Sequence, residues 1–448
     1  MNIHVLAVGG IGMSGIARLL LQLGHTVSGT DISHSYIIDD LVKEGLILEP
    51  VSEAVKKRKI DAVVTSTAVP YEDPQLELSR SLNIPIYHRS EMLQAIFGSR
   101  KVIGITGAHG KTTSTGLLSW VLHQLGYRPS AYIGGILKGV GRNAWLGTGE
   151  IAVLELDESD GSFSLFKPEI MFIPYLELEH IDFYGQESSM VEFFRNYIIQ
   201  RRDTKFLIGL GSKIGQEFSQ FENIKSVQDL RFVPVGHKIN PDFTMDVEYM
   251  DRKENKIISG KVPLIGLHNV RNICGVLQVC DWLEIDPVQV IQAIETFPGI
   301  ARRMDVMSYS PSLIIHDYAH HPTEISSTIS AVRDVIGEKR LVVVFEPHRY
   351  SRFSGFWNEF ISSLSGTDLL LVTPVYSAGE RPIEGITSER FCIEFTRHTK
   401  TPAYAMIDYD IGEVQAAVQD GDCLLFLGAG KIYSLAKAIA KDTLAYQN

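Results

Sequence analysis

Strand-like apolar runs alternate with helical patterns along nearly the whole chain of 448 residues. The first run, residues 2–10, leads into a helical pattern through Leu23, and a second strand-like run follows at residues 25–31. Strands that alternate with helices favour parallel sheets, because parallel neighbours need a crossover connection between them. The pattern therefore predicts an α/β protein with doubly wound sheets.

The alternation restarts twice, which predicts three domains. The first region is residues 1–98, the central region is residues 99–300, and the third region is residues 301–448. A chain of this length exceeds what one core of ordinary size holds. We expect each domain to be built on a mostly parallel sheet, with a Rossmann-like first domain, a P-loop ATPase-like central domain and a Rossmann-like C-terminal domain.

Charge and hydropathy narrow the class of protein. The formal net charge of −11 argues against nonspecific binding to nucleic acid, which needs a basic face. No apolar stretch approaches the roughly 20 residues of a membrane span, and the N-terminus reads as a strand rather than a signal peptide. The four cysteines form no C-x-x-C pair, which favours buried free thiols over a zinc site. We expect a cytoplasmic protein that binds neither nucleic acid nor membrane.

A first glycine loop follows the first strand. Gly10, Gly12 and Gly15 form G-x-G-x-x-G at the start of a helix, where the backbone approaches a diphosphate and the helix dipole favours the anion. Asp31 ends the second strand, where a carboxylate often meets a ribose or sugar hydroxyl. The motif alone leaves three interpretations open: a nicotinamide or flavin cofactor, a nucleotide diphosphate-sugar, or a purely structural turn.

A second glycine loop, "GAHGKTT" at residues 107–113, follows the strand that opens the central region. A full P-loop would place its first glycine at position 105, which is Ile105, so the spacing is shortened. The loop still begins a helix, and Lys111 would be awkward there without an anion, because the dipole disfavours cations. The pattern predicts a polyphosphate site with Lys111 on the outer phosphates and the hydroxyl of Thr112 or Thr113 on Mg²⁺.

Acidic side chains follow two later strands. Residues 155–160 contain four acids, which repel one another unless a cation or basic groups lie among them. His180 follows the next strand beside Glu177 and Glu179. The pattern indicates a metal site, with a solvated acidic turn and a structural histidine as the alternatives.

Several further motifs occur in a fixed order along nearly the whole chain. They are "GGIGMSGIA", "HRSEML", "GAHGKTT", "DESDGSF", "HNVRN", "ARRMD", "DYAHHPTEI", "FEPHRYSR" and "VYSAGERPI". Together they resemble the ATP-dependent Mur ligases of peptidoglycan synthesis, and within that family the members that add alanine.

The resemblance implies a ligase that uses ATP and Mg²⁺ to join L-alanine to the lactyl carboxylate of UDP-N-acetylmuramate through an acyl phosphate. It implies a monomer or a weak dimer. A ligase that recycles muropeptides, adding a preformed tripeptide to the same sugar nucleotide, is a close alternative because it shares the "AHHPT" segment. An oxidoreductase using a dinucleotide is the alternative from another class, and it leaves the second glycine loop and the acidic cluster unexplained.

The resemblance also implies roles for individual residues. The residues expected to bind ATP are Gly107, Ala108, His109, Gly110, Lys111, Thr112, Thr113, Asn269, Asn272, Arg303 and Asp317. Those expected to hold metal are Thr112, Glu155 and His180, and those expected to take part in catalysis are Lys111, Glu155, His180, Arg303 and His320. The UDP-sugar would lie on Gly10, Gly12, Gly15, Asp31 and Arg89, and the amino acid on Tyr318, His320, Arg349 and Arg352.

The chain departs from the family pattern at a few positions. Pro174 and Tyr175 replace the usual Thr-Asn, Glu179 replaces an aspartate, and Ala319 replaces a glycine. These changes bear on contacts to the muramyl sugar and on close backbone approach, and they leave the residues expected to bind ATP unchanged.

Overall fold

The computed structural model describes residues 1–209, 217, 218, 221, 224, 225, 230–308 and 312–445. Its described residues form two compact units. One contains Met1–Gly236, Val247–Pro263 and Asn269–Gly299, and the other contains His237–Asp246, Leu264–His268 and the chain from Ile300 onward. None of the described helices is long and apolar enough to cross a membrane.

The first region is a five-stranded parallel sheet with helices between its strands. Its strands are β1 (Asn2–Leu6), β2 (Thr26–Thr30), β3 (Ile47–Leu48), β4 (Ala62–Thr65) and β5 (Ile86–His88). Its helices are α1 (Ile11–Gln22), α2 (Tyr36–Lys43), α3 (Val51–Lys57), α4 (Pro74–Ser81) and α5 (Arg89–Phe97). The strand order β3-β2-β1-β4-β5 confirms the doubly wound arrangement, with the first glycine loop at the carboxyl end of central strand β1.

The central region opens with a seven-stranded sheet in the order β12-β11-β10-β6-β9-β7-β8. Its strands are β6 (Lys101–Ile105), β7 (Ser130–Leu137), β8 (Arg142–Trp145), β9 (Ile151–Glu155), β10 (Ile170–Ile173), β11 (Lys205–Ile208) and β12 (Ile224–Lys225). Its helices are α6 (Lys111–Gln124), α7 (Ile181–Tyr184) and α8 (Glu187–Ile199), with a 3₁₀ turn at Ser162–Leu165. Only β8 runs antiparallel among the pairings that the described residues show, so the second glycine loop and both acidic segments follow the carboxyl ends of neighbouring parallel strands.

A three-stranded sheet and two helices complete the central region. The strands are β13 (Phe232–Ile239), β14 (Met245–Asp251) and β15 (Lys256–Val262), and the helices are α9 (Leu267–Trp282) and α10 (Pro287–Glu295). The sequence predicts a β-rich stretch at about residues 231–265 and a long helix over residues 268–284, and both are confirmed.

The third region is a six-stranded sheet in the order β16-β17-β21-β18-β19-β20. Its strands are β16 (Asp305–Ser308), β17 (Leu313–Asp317), β18 (Leu341–Phe345), β19 (Leu369–Val372), β20 (Ala403–Ala405) and β21 (Cys423–Leu427). Its helices are α11 (Pro322–Ile336), α12 (Tyr350–Gly355), α13 (Trp357–Ser363), α14 (Ser388–Thr399), α15 (Ile411–Ala417) and α16 (Ile432–Ala445). β16 pairs antiparallel with β17 and the other pairings of this sheet are parallel, so the prediction of mostly parallel sheets is confirmed for the five-, seven- and six-stranded sheets.

Helix α1 shares one apolar core with the central sheet. Ile16 and Leu19 of α1 belong to the same buried cluster as Tyr132 of β7 and Ala144 of β8. The first glycine helix therefore packs on two layers at once, its own sheet and the edge of the next. The four cysteines are free and buried, as predicted.

Candidate active site

The second glycine loop is folded against the end of β10. Gly107 and Gly110 have φ angles of +113° and +82°, in the region that favours glycine. The amide of Ala108 donates to the carbonyl of Tyr175 at 2.9 Å, and a Cβ on Gly107 would lie 2.7 Å from that same oxygen. The shortened spacing thus still gives a tight strand–turn–helix, and Pro174 and Tyr175 form its backing.

Lys111 is the first residue of α6 and turns back over the loop. Its ammonium group donates to the carbonyls of Gly107 and Ala108 and to Glu158, the latter at 2.9 Å. Burial alone would lower the pKa of Lys111, and the carboxylates of Glu158, Glu179, Asp157 and Glu155 outweigh it, so the pKa is raised. Lys111 is therefore a charged group held at a helix N-terminus that, among the described residues, no side chain caps.

Two groups predicted to hold metal meet beside this lysine. The hydroxyl of Thr112 donates to Glu155 at 3.0 Å, and Glu155 also accepts from the amide of Gly134 at 2.7 Å. Thr113 lies in the same first turn of α6. Thr112 and Glu155 are thus brought together at the carboxyl edge of the central sheet.

His180 lies instead with Glu158 and Glu179. One ligand atom from each of the three falls within 4.8 Å of the others, and the imidazole of His180 is 3.4 Å from Glu158. Burial would lower the pKa of His180, and Glu158 together with Glu179 raises it overall. Glu158 is 3% exposed, and its Oε2 atom is buried with no hydrogen-bond partner among the described residues.

An orphaned buried carboxylate oxygen is costly unless something binds it. Two carboxylates and an imidazole are ligands that divalent cations accept, so the donor set fits a metal ion. Glu158 and Glu179 were recognised in the sequence as members of acidic clusters but were not among the residues predicted to hold metal. The signal was present in "DESD", where the sequence does not tell which acid faces Lys111.

Helix α9 brings two amides to the second glycine loop. Asn269 and Asn272 are buried, and the side-chain amide of Asn272 donates to Asn269 at 3.1 Å. A Cβ on Gly110 would lie 2.6 Å from the side-chain oxygen of Asn272. His109, in the same loop, contacts the carboxylate of Glu177. Both asparagines are therefore beside the predicted phosphate loop.

The first glycine loop opens α1, with Gly10 as its N-cap residue. Asp31 accepts from the amides of Gly9 and Ser33, each at 2.9 Å, so its carboxylate braces the loop. Gly10 and Asp31 are thus placed together, as the motif requires.

Gly12 and Gly15 face the central sheet. Tyr132 donates its hydroxyl to the carbonyl of Gly12 at 3.0 Å, and a Cβ on Gly15 would lie 2.8 Å from the ring of Tyr132. Asn143 donates to the carbonyl of Ile11 at 2.5 Å. The third glycine therefore permits close packing, and the strand packed on it is β7 of the next sheet.

Arg89 connects the first region to the acidic segment after β9. Its guanidinium lies 2.5 Å from Asp157 and 3.4 Å from Asp160. Burial would lower the pKa of Arg89, but the carboxylate of Asp157 outweighs it, so the pKa of Arg89 is raised. Burial would raise the pKa of Asp157, but Arg89 and Lys111 outweigh it, so the pKa of Asp157 is lowered. Arg89 is thus close to the edge that carries the second glycine loop.

The residues predicted in the third region gather at the carboxyl ends of β17 and β18. Asp317 accepts from the amides of Met304 and Ala319, at 2.7 and 2.9 Å, and burial raises its pKa. The guanidinium of Arg303 lies 5.0 Å from the ring centre of Tyr318 and 3.6 Å from Glu324. Ala319 is fully buried outside the positive-φ region, so the alanine fits where the family has glycine.

His320 and the arginines lie next to one another. Nδ1 of His320 is 3.0 Å from the carbonyl of Tyr318, and its ring centre is 5.7 Å from that of His348. Arg349 has a φ angle of +68° and lies 3.9 Å from Glu380, and Arg352 approaches His348 at 3.5 Å. Burial first, and then His320 and the arginines, lower the pKa of His348 to about 2. His348, which was not among the predicted site residues, is therefore neutral.

The chain is similar to known proteins over nearly its whole length. Residues 2–101 match the family model described as "Mur ligase family, catalytic domain", residues 105–280 match "Mur ligase middle domain", and residues 302–430 match "Mur ligase, glutamate ligase domain". The chain is 33% identical to a UDP-N-acetylmuramate–L-alanine ligase of Desulforapulum autotrophicum, over 98% of each chain. It is 36% identical to one of Desulfosudis oleivorans, over 98% of this chain and 97% of that one.

Solved structures show the same likeness. A UDP-N-acetylmuramate-alanine ligase from Thermotoga maritima superposes with a TM-score of 0.85 over the full length of both chains, at 25% identity. A murein peptide ligase from Psychrobacter arcticus gives a TM-score of 0.68 at 20% identity, over 99% of this chain and 98% of that one, which indicates a shared fold. With three matching domain models and full-length relatives above 30% identity, the chain belongs to the Mur ligase family.

Proposed function

We propose that this chain is a UDP-N-acetylmuramate–L-alanine ligase, which forms ADP and phosphate as it makes an amide bond in peptidoglycan precursor synthesis. The observation that carries the proposal is the full-length identity of 33–36% to ligases of that name. The second glycine loop with Lys111 supplies the matching chemistry. Because its substrates are ATP and a nucleotide sugar, we place the reaction in the cytoplasm.

The chemistry begins with a carboxylate, which is a poor acyl donor because its oxygen leaves badly. The lactyl carboxylate attacks the γ-phosphorus of ATP, ADP departs, and an acyl phosphate results. The amine of L-alanine then attacks the acyl carbon and loses a proton, and phosphate leaves. The first transfer depends on positioning and charge neutralisation, which Lys111 and the first-turn amides of α6 supply at the end of β6. Arg303 is proposed to add a second positive charge to the phosphates.

Magnesium fits the donor groups beside Lys111. When bound, it would neutralise phosphate charge and fix the reacting oxygens in place. The proposed ligands are Thr112, Glu155 and His180, and we add Glu158 and Glu179 to this proposal because their carboxylates lie beside His180. The orphaned Oε2 atom of Glu158 supports this extension.

The amino acid is proposed to bind in the third region. Arg349 and Arg352 suit an α-carboxylate, which a guanidinium grips with two parallel hydrogen bonds. If Nδ1 of His320 donates its proton to the carbonyl of Tyr318, Nε2 keeps a lone pair and can accept a proton from the incoming amine. Tyr318 would line the same site, and Asp317 would meet the ATP ribose.

The sugar nucleotide is proposed to bind the first region. The diphosphate would lie on the turn at Gly10 and the first amides of α1, with Asp31 and Arg89 nearby. Gly12 and Gly15 are then required for the close packing on Tyr132 as much as for the ligand. With this assignment the three-domain division at residues 98 and 300 is kept as a proposal: sugar nucleotide, ATP and amino acid, in chain order.

Two alternatives are not favoured. The murein peptide ligase from Psychrobacter arcticus is 20% identical, which indicates a shared fold, whereas the full-length relatives compared above carry the alanine-adding name. The assignment as a dinucleotide-dependent oxidoreductase is not favoured, because the Mur ligase family models cover both glycine loops. The predicted monomer or weak dimer stays a prediction.

An amine screen tests the proposal. The purified chain is mixed with ATP, Mg²⁺ and UDP-N-acetylmuramate, and phosphate release is followed with L-alanine, L-serine, glycine or L-Ala-γ-D-Glu-meso-diaminopimelate. We expect release with L-alanine at a kcat/KM at least tenfold above that with the tripeptide. A preference for the tripeptide would support the recycling ligase. If none of these amines supported phosphate release, the ligase assignment would be refuted.

A further inference from the structure

A third glycine turn in the chain is not explained by the function proposed above. It is "GAGK", residues 428–431, and it connects β21 to α16, a helix of 14 residues. Strand, glycines, lysine and helix follow in the same order as at the second glycine loop. The turn therefore has the local pattern of an anion site.

The anion position of this third glycine turn is filled by Glu346, from the end of β18. Its carboxylate accepts from the amides of Gly430, Lys431 and Ile432, at 2.6, 2.8 and 3.2 Å. The hydroxyl of Tyr409 donates to it at 2.7 Å. Glu346 is fully buried, and a Cβ on Gly430 would lie 2.8 Å from its Oε1 atom. The turn is shaped around an internal carboxylate and leaves no room there for a ligand phosphate.

Glu346 directly precedes the segment that carries His348 and Arg349. That segment pairs with Tyr376, because the amide of Arg349 donates to the carbonyl of Tyr376 at 2.8 Å and the amide of Tyr376 donates to Pro347 at 2.8 Å. The rings of Tyr376 and His348 stack at 5.3 Å with an angle of 18°. A Cβ on Gly430 would also lie 2.8 Å from the ring of Tyr376. Tyr376 therefore contacts both the third glycine turn and His348.

Arg302 holds the third glycine turn from its carbonyl side. Its guanidinium donates to the carbonyls of Ala429 and Gly430, at 2.7 and 3.2 Å. It also lies about the same distance from the rings of Tyr318 and Tyr433, at 5.0 and 5.1 Å. The amides of the turn are therefore held by Glu346, and its carbonyls are held by Arg302.

We propose that Glu346 is a positioning residue that acts through the third glycine turn and Tyr376 to place His348 and Arg349 for the amino-acid substrate. Without its carboxylate, three amides at the start of α16 lose their acceptor, and the residue after β18 loses its side-chain link to the third glycine turn. The substrate contacts themselves stay with the arginines. This inference rests on the proposed ligase function.

The kinetic test compares Glu346→Gln and Glu346→Ala with the unaltered chain. Glu346→Gln keeps one oxygen acceptor and Glu346→Ala keeps none, so we expect the KM for L-alanine to rise about tenfold in the first and further in the second. The KM for ATP should stay within about twofold. Asp422→Asn is the matched control, because Asp422 is also buried and hydrogen-bonded but precedes β21, at the opposite end of the strand from the turn. An L-alanine KM in Glu346→Gln equal to that of Asp422→Asn would overturn the inference.

A second measurement needs no substrate and separates this inference from the proposed function. Deuterium uptake of peptides covering residues 347–355 and 429–434 should rise in Glu346→Gln and remain unchanged in Asp422→Asn. If the unaltered chain shows no turnover with L-alanine, the function fails while the uptake result still decides whether Glu346 holds the segment. Unchanged uptake in Glu346→Gln would refute that role.

Discussion

Lys111 and Glu158 are a buried ion pair at the second glycine loop. Their side chains lie 2.9 Å apart, and Glu158 is 3% exposed. A buried pair contributes little net stability by itself, but removal of one partner leaves an uncompensated charge. The pair therefore holds a positive charge at the loop where a phosphate is proposed to bind, and it makes the stability of the fold sensitive to the loss of either partner alone.

Lys111→Ala is expected to abolish phosphate release and to lower the free energy of unfolding by about 3 kcal/mol, because Glu158 would keep a buried charge without its partner. The double variant Lys111→Ala/Glu158→Gln should recover most of that stability and none of the activity. Urea unfolding and a phosphate-release assay measure the two effects. Turnover near normal in Lys111→Ala would exclude the phosphate role.

His4 is a buried histidine in β1 whose charge state depends on pH. It is fully buried, its Nδ1 lies 2.8 Å from the hydroxyl of Ser28, and burial lowers its pKa to about 4, with Glu49 opposing and Arg58 reinforcing the effect. The unfolded chain takes up this proton near pH 6.5 and the folded chain only near pH 4. The contribution of neutral His4 to the free energy of unfolding is therefore fully present above pH 6.5 and is lost as the pH falls towards 4.

The loss should amount to about 3 kcal/mol between pH 6.5 and pH 4. We expect His4→Gln to lose less stability than the unaltered chain when urea unfolding is repeated at pH 7 and pH 4.5. His34→Gln is the control, since that side chain is 68% exposed. If the free energy of unfolding of His4→Gln and of the unaltered chain fell equally between pH 7 and pH 4.5, a group other than His4 would cause the loss of stability in acid.

At the scale of elements, helix α1 depends on a strand of the neighbouring sheet. A Cβ on Gly12 would lie 2.9 Å from the hydroxyl oxygen of Tyr132, a ring that is itself buried. Gly12→Ala is therefore expected to destabilise the protein by about 1–3 kcal/mol, despite the better helix propensity of alanine.

Tyr132→Phe removes the atom that the new methyl group would strike. The double variant Gly12→Ala/Tyr132→Phe should be more stable than Gly12→Ala alone, although it gives up the hydrogen bond to the carbonyl of Gly12. Gly355→Ala in α12, where no described heavy atom lies within 4 Å of the added Cβ, should be neutral or mildly stabilising. Thermal unfolding of the unaltered chain and of the four variants checks this, and additive effects of Gly12→Ala and Tyr132→Phe would refute the close approach.

The strands and the two glycine loops could be predicted from the sequence because their signals are local. Buried apolar runs identified β6 and β10, and the strand–glycine–lysine order identified the turn at Gly107 and Gly110. The contact between Gly15 and Tyr132 could not be predicted, since more than a hundred residues separate them. Nor could the acid that faces Lys111, because the turn after Glu155 decides which of four carboxylates points at the loop.

At the scale of the whole molecule, the described residues divide into two compact units, and the first region belongs with most of the central one. A buried polar network joins them within that unit. Arg18 is 1% exposed, donates to Glu44 at 3.0 Å and donates to the side-chain oxygen of Asn143. The side-chain nitrogen of Asn143 donates to the carbonyl of Ile11 at the start of α1. The first glycine helix is therefore held by the sheet that carries the second glycine loop.

Asn143→Ala should lower the stability of this unit by about 2–3 kcal/mol, because it removes a partner of a buried charge. Hydrogen exchange should accelerate in residues 11–22 and 142–145 and stay unchanged in β17 and β18. A uniform increase across both units would show that the molecule unfolds as one cooperative body.

The burial of Arg18 has a consequence for dissecting the gene. A fragment ending at residue 98 would expose that guanidinium and the apolar side of α1 that Tyr132 and Ala144 cover, so the amino-terminal fragment should be poorly soluble by itself. Coexpressed with residues 99–448, it should reassemble through that same face. The junction after residue 98 is therefore a suitable place to split this ligase into two complementing fragments. The activity of the reassembled fragments would report the packing of α1 against β7 and β8.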